Sequence, residues 1–206
     1  SENLFKGLSP WMQKLPGGLI HVNVVGCALF AAISGSSAAT VATVGKMSIP
    51  ELRKRNYPEK ILLGSLAGSG TLGLLIPPSI ILIIYGVAVQ ESIAKLFIAG
   101  ILPGIMIALI FMSYVMIWSL MNKKEMPKIL EEYSFVEKVR RSKQLLPVIL
   151  LILAVIGSIY TGVATATEAA SLGVVGALIL SYFQKSLTLK TFKSSLLGAT
   201  KTSCMI

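Results

Sequence analysis

Two short runs hold the residues best suited to chemistry. Ser34, Gly35, Ser36 and Ser37, with Thr40 just beyond, bring four hydroxyls and pliable backbone together; Gly68, Ser69, Gly70, Thr71 and Gly73 lead into Pro77, Pro78 and Ser79. Hydroxyl and carbonyl oxygens are hard ligands that suit a small oxygen-loving cation better than a thiophilic metal. Tandem prolines withdraw two amide donors and clash with the preceding turn, so residues 70–78 present carbonyls that a continuous helix would have bonded. Ser34, Thr40, Thr71 and Ser79 are the hydroxyl candidates for substrate contacts. A plainer reading treats the glycines and prolines as packing devices and the hydroxyls as bonded to the turn before them. One such break would favour that reading, but two in adjacent segments favour a ligand site.

Other chemistries find little support. The chain has no aspartate and one histidine, His21, which removes most metal-cluster and catalytic-triad arrangements. An intramembrane serine hydrolase using His21 and Ser36 is the enzyme alternative. About 15 residues of one helix would hold that pair about 22 Å apart, and no second histidine exists. His21 is expected at the membrane interface, with a proton carrier as the sharper alternative. Glu168 has two readings, an acid in the first turn of a helix capped by Thr165 or Thr167 and a proton or cation relay. Cys27 and Cys204 lie in apolar surroundings and suggest no disulfide framework.

The elements that must position these residues are written in hydropathy. Among 206 residues, 54% are hydrophobic and 14% charged, and the mean hydropathy is +0.77. This indicates a chain whose solvent is lipid. Ionised groups are absent from residues 15–45 apart from His21, and from 61–90, 96–122 and 144–167. Each run is long enough for a membrane core that takes roughly 20 helical residues to cross.

The net charge of +10 is segregated. Residues 46–60 carry five cations against two glutamates, residues 122–143 seven against four, and residues 185–201 four lysines without an acid. Residues 90–95 are neutral and 157–168 carry one glutamate. Basic connections stay in the cytoplasm, so the first three face in and the other two face out. No continuous basic surface interleaved with aromatics suggests nucleic acid.

The expected elements are an interfacial helix (1–16), a re-entrant hairpin (17–47), a cytoplasmic linker (48–60) and a discontinuous transmembrane helix (61–89). A transmembrane helix (96–121), a cytoplasmic connector helix (122–143), two transmembrane helices (144–184) and the start of another (194–206) follow. The hairpin's second arm, taken to end at Met47, would cover about 15 Å, half the membrane core. One straight helix over 61–89 would be about 44 Å, too long unless tilted or broken. Trp11 and Trp118 are expected as interface anchors. The chain is expected to continue beyond both Ser1 and Ile206, because an apolar segment is under way at its end.

The runs Ile33-Ser34-Gly35-Ser36-Ser37-Ala38-Ala39-Thr40-Val41, Ile49-Pro50-Glu51-Leu52, Gly68-Ser69-Gly70-Thr71-Leu72-Gly73-Leu74-Leu75-Ile76-Pro77-Pro78-Ser79 and Ala166-Thr167-Glu168-Ala169-Ala170 resemble the large membrane subunit of tripartite ATP-independent periplasmic (TRAP) transporters. The resemblance covers essentially the whole chain. It implies an all-α polytopic protein of the bacterial inner membrane, an elevator-type transporter with a re-entrant hairpin and a discontinuous transmembrane helix. The implied activity is sodium-coupled import of an organic acid such as a sialic acid or a C4-dicarboxylate. Implied partners are a periplasmic substrate-binding protein and a small membrane subunit, separate or fused. Ser36 and Ser37, with Gly70, Gly73, Ile76 and Pro78, match positions where that family holds sodium. The family also implies a second hairpin and a second broken helix after Ile206. A carboxylate carrier of elevator type that needs no binding protein is the alternative.

Overall fold

The computed structural model describes residues 2–127, 133–143 and 145–205. The described residues form helices α1 (Glu2–Met12), α2 (His21–Ser34), α3 (Ser37–Lys54), α4 (Glu59–Gly70), α5 (Leu72–Leu75), α6 (Ile80–Ala88), α7 (Ile93–Met121), α8 (Phe135–Ser142), α9 (Leu146–Tyr160), α10 (Ala166–Phe183) and α11 (Leu189–Met205). A 3₁₀ turn at Gly18–Ile20 leads into α2. The stretches Glu59–Ala88, Ile93–Met121 and Ala166–Phe183 are long and apolar enough to cross a membrane. Two compact units, residues 1–152 and 153–206, meet within α9.

The first unit is built around a helical hairpin. The apolar arm α2 ends at Gly35, whose left-handed backbone (φ 59°) returns its N–H to the Ala31 carbonyl at 2.9 Å. Only glycine takes that conformation cheaply, so one residue reverses the chain. Ser36 is extended and caps α3, its Oγ accepting from the Ala39 amide at 3.4 Å. Helix α4 packs against both arms, and Val22, Cys27, Val44, Leu52, Leu62 and Leu66 close a common core. Asn23, fully buried in α2, donates from Nδ2 to the Leu62 carbonyl (3.1 Å) and to Ser65 Oγ (3.0 Å) on α4.

The base of the hairpin is also tied. The Leu19 amide donates to the Tyr57 hydroxyl at 3.0 Å, linking the entry of the first arm to the chain leaving the second. Burial pushes the Tyr57 phenol above its usual range, so it is a neutral acceptor there.

Several expectations change. The second arm does not end at Met47: α3 has 18 residues, about 27 Å, and runs through Pro50 to Lys54. Pro50 withdraws one amide from the helix, yet Ser48 and Leu52 on either side are fully buried, so packing carries the helix past it. The 48–60 linker shrinks to the turn before Glu59, where Arg53 on α3 pairs with Glu59 on α4. The apolar face of α1, read as interfacial, supplies Leu4, Phe5 and Leu8 to the hairpin core. His21 is fully buried instead of interfacial. Trp118 is half-buried beside Ile20, Ile61 and Val115. Of the 122–143 connector, Phe135–Ser142 is helical, and residues 128–132 lie outside those described. Helix α11 starts at Leu189, ahead of the expected 194, and is not among the helices apolar enough to cross.

In the second unit α10 starts as one of the two caps foresaw. Thr165 accepts from the Glu168 amide at 3.3 Å, and the Glu168 carboxylate accepts from the Thr165 amide and hydroxyl, each at 2.8 Å. This capping box gives Glu168 a structural role.

Candidate functional site

The two breaks singled out by residue type lie against each other. Helix α4 stops at Gly70, α5 makes one turn, and Ile76 to Ser79 are not helical, with a cis peptide between Pro77 and Pro78. Into this gap fits the hairpin tip. A methyl group on Gly73 would stand 2.8 Å from the Ser36 carbonyl carbon and 2.8 Å from the Ser37 amide nitrogen, closer than real Cβ atoms come. A methyl on Gly70 would collide with the Val41 side chain, and one on Gly35 would stand 2.7 Å from the Pro78 carbonyl oxygen. Apolar attraction between helices is weak in lipid, so close backbone approach at small residues must supply the fit. From the far side, α7 brings Gly100 and Gly104 against the Leu75 carbonyl and the Ile76 side chain.

Four helix ends meet there. The C-terminal ends of α2 and α5 present carbonyls, and the N-terminal ends of α3 and α6 present amides. Carbonyl ends favour a cation and amide ends an anion.

Part of the expected backbone deficit is met inside the chain. The Ile80 amide donates to the Gly35 carbonyl at 3.3 Å, so the first turn of α6 closes on the hairpin tip. Leu74 cannot receive an amide from Pro78, and Ser79 Oγ donates to its carbonyl instead at 2.6 Å. The Ser36 carbonyl accepts from the Thr40 amide (3.0 Å), Thr40 Oγ1 (2.8 Å) and Ser34 Oγ (3.3 Å). Ser34 and Thr40 also lie within hydrogen-bond distance of each other at 3.0 Å. Thr71, exposed, donates to the Gly68 carbonyl at 2.7 Å.

Two groups stand apart from this internal bonding. Ser37 Oγ is buried and has no hydrogen-bond partner. Gly73 lacks the usual donor to its carbonyl, because the residue four places on is Pro77. Both belong to the set Ser36, Ser37, Gly70, Gly73, Ile76 and Pro78, which the fold gathers around one junction. Of the hydroxyls considered for substrate, Ser34, Thr40 and Ser79 line the same junction, and each has its proton on a neighbouring oxygen.

Residue types did not flag Gly35 or Asn23. Gly35 both reverses the chain and receives the α6 amide; Asn23 locks α2 to α4. An amide side chain in an otherwise apolar arm was the available signal for Asn23. His21 and Ser36 lie beyond opposite ends of the 14-residue α2, about 20 Å apart along the axis. The His21 Nε2 donates to the Pro16 carbonyl at 2.7 Å, sealing the turn that starts the hairpin. Nothing in that geometry resembles a hydrolase pair.

Comparison with known proteins agrees with this geometry. A family model described as "Tripartite ATP-independent periplasmic transporter, DctM component" matches residues 2–206. The C4-dicarboxylate TRAP transporter large permease protein DctM of Pseudomonas aeruginosa is 38% identical over 191 residues, covering 92% of this chain and 44% of that protein. The sialic acid TRAP transporter permease protein SiaT of Haemophilus influenzae is 36% identical over 200 residues, covering 97% of this chain and 32% of SiaT. The isethionate TRAP transporter permease protein DctMQ of Oleidesulfovibrio alaskensis is 36% identical over 209 residues, covering 100% of this chain and 32% of that protein. The chain therefore spans less than half the length of each of these relatives. With its membrane-crossing helices and its match along residues 2–206, it belongs to the family of multi-pass inner-membrane large permease subunits of TRAP transporters.

Proposed function

We propose that this chain provides one sodium site, and part of the substrate cradle, of a sodium-coupled organic-acid importer. The observation that carries the reading is the hairpin tip seated in the helix break, with Ser37 Oγ buried there without a partner. Sodium would be held by Ser37 Oγ and by carbonyls of the junction, Gly73 first among them, with Ser36, Gly70, Ile76 and Pro78 supplying the remaining wall. The amide ends of α3 and α6 would face the substrate carboxylate, with the hydroxyls of Ser34, Thr40, Thr71 and Ser79 as secondary contacts. Every arginine of the chain lies in residues 53–55 or 140–141, away from the junction, so no guanidinium competes for that role.

Depth supports a re-entrant hairpin. The break at residues 71–79 sits near the middle of the 30-residue stretch Glu59–Ala88, so a tip seated in it stands near the membrane midplane. The tied base at Leu19 and Tyr57 supports entry and exit on one side. The shared core of α2, α3 and α4, pinned by Asn23, supports their moving as one body, as an elevator requires. The acids named for relatives, C4-dicarboxylates and sialic acid, are the substrate classes we infer, delivered by a periplasmic binding protein and aided by a small membrane subunit. The small subunit is fused or separate, as the relative named DctMQ illustrates.

The test is uptake of labelled acid into proteoliposomes that hold the full-length protein and its small subunit. Uptake should require both an inward sodium gradient and the cognate binding protein. Equal uptake with potassium in place of sodium would overturn the coupling; uptake without the binding protein would favour the simpler carrier.

A further inference from the structure

At the base of the hairpin, remote from the tip, a cavity of about 600 Å³ opens between α1, α3 and α8. Lys6, Lys46, Arg55 and Arg141 line it, against the single carboxylate of Glu51. Glu51 is itself 3.6 Å from Lys54, which lies outside the cavity lining. The Arg141 guanidinium lies 4.4 Å from the centre of the Tyr133 ring, with Nη1 3.4 Å from the Tyr133 hydroxyl, so the stack fixes its plane. Phe5, Met47 and Pro50 give the same cavity an apolar wall.

Four cations around a space that also has an apolar side suit a ligand with an anionic head and a greasy body. Guanidinium groups pair with phosphate in a fixed geometry, and ammonium groups add charge without direction. The cavity lies among the basic connections, the side that faces the inner leaflet, where anionic headgroups gather. A free phosphate would use the cations and leave the Phe5 and Met47 wall without purpose.

We propose that this cavity binds the phosphate headgroup of an anionic membrane phospholipid, which thereby clamps α1 and α8 to the base of the hairpin. The ligand bridges three elements that the protein joins there only through side chains. The second arm of the hairpin contributes Lys46, so lipid occupancy bears on how firmly the hairpin base is held.

The test uses full-length protein purified in neutral detergent, with native mass spectrometry reading retained lipid. Phosphatidylglycerol should be retained about tenfold better than phosphatidylcholine, and it should raise the thermal midpoint. The double variant Lys46→Gln/Arg141→Gln should lose that preference, while Lys190→Gln/Lys193→Gln, on α11, should keep it. If the double variant is poorly folded, the single change Lys46→Gln on the exposed face of α3 should still weaken retention severalfold, and Lys46→Arg should restore it. Equal retention of the two lipids, or wild-type retention by the glutamine variants, overturns the proposal. Displacement of phosphatidylglycerol by millimolar inorganic phosphate also overturns it and assigns the cavity to a soluble phosphate compound. None of these readouts depends on sodium or substrate.

Discussion

At the scale of single residues, the junction separates groups that residue type alone had left equal. Ser34, Ser36, Ser37, Thr40, Thr71 and Ser79 all carry hydroxyls near a break, and the sequence cannot say which are already engaged. That depends on which carbonyl each meets after folding; five cap or brace the chain, and Ser37 Oγ is left over. A buried hydroxyl without a partner costs about 1–3 kcal/mol, so its persistence asks for a reason. The two readings of Ser37 make opposite predictions. If the hydroxyl only fills space, Ser37→Ala should raise the thermal midpoint equally with and without sodium. As an ion ligand, its loss should leave the sodium-free midpoint unchanged or higher, yet remove most of the stabilisation by sodium and weaken sodium affinity about tenfold, near 1.4 kcal/mol. Gly73→Val should go further, because its side chain would meet Ser36 and Ser37 backbone that cannot swing aside. Gly64→Ala on the same broken helix, where a methyl meets nothing within 4 Å, is the control. Titrating sodium against thermal unfolding of full-length protein checks all three; wild-type sodium response in both site variants would move the ion elsewhere.

At the scale of elements, the breaks were legible and some boundaries were not. Pro77 and Pro78 end a helix wherever they fall, because two consecutive amides are gone, and that local rule held. Pro50 was equally visible and misleading: buried Ser48 and Leu52 pack well enough to carry α3 through it, and packing partners are not written locally. The argument for a short second arm fails accordingly, and depth of the helix break replaces it. Helix α10 shows the reverse case, since Thr165 and Glu168 stand three apart as a capping box requires and the structure forms one. That cap decides what Glu168 should do when changed. A glutamine fills the same position in a capping box, so Glu168→Gln should keep transport and its dependence on external pH. Thr165→Ala removes the reciprocal hydroxyl and should cost about 1 kcal/mol of stability, read as a lower thermal midpoint with the coupling intact. A flattened pH profile in Glu168→Gln would instead make the carboxylate a proton relay.

At the scale of the whole molecule, the segregation of charge was the most readable feature, because lipid imposes one rule on every connection. What sequence could not supply was the meeting of two distant breaks, which requires the left-handed turn at Gly35 and the close approach at Gly73 to act together. The charge map nevertheless commits every connection to a side, and cysteine labelling tests it in intact cells. In a background of Cys27→Ala and Cys204→Ser, Glu91→Cys and the well-exposed Val163→Cys (82% exposed) should react with a membrane-impermeant maleimide from outside. Lys54→Cys, just past the hairpin, and Lys124→Cys, beyond α7, should react only after the inner face is opened. These four positions alternate along the chain, so no single inversion of one helix can leave all of them correct. Labelling of Lys54→Cys from outside would place the hairpin base on the wrong face. The basic cavity at that base would then look out on the periplasm, and the inner-leaflet lipid proposed for it would have no access.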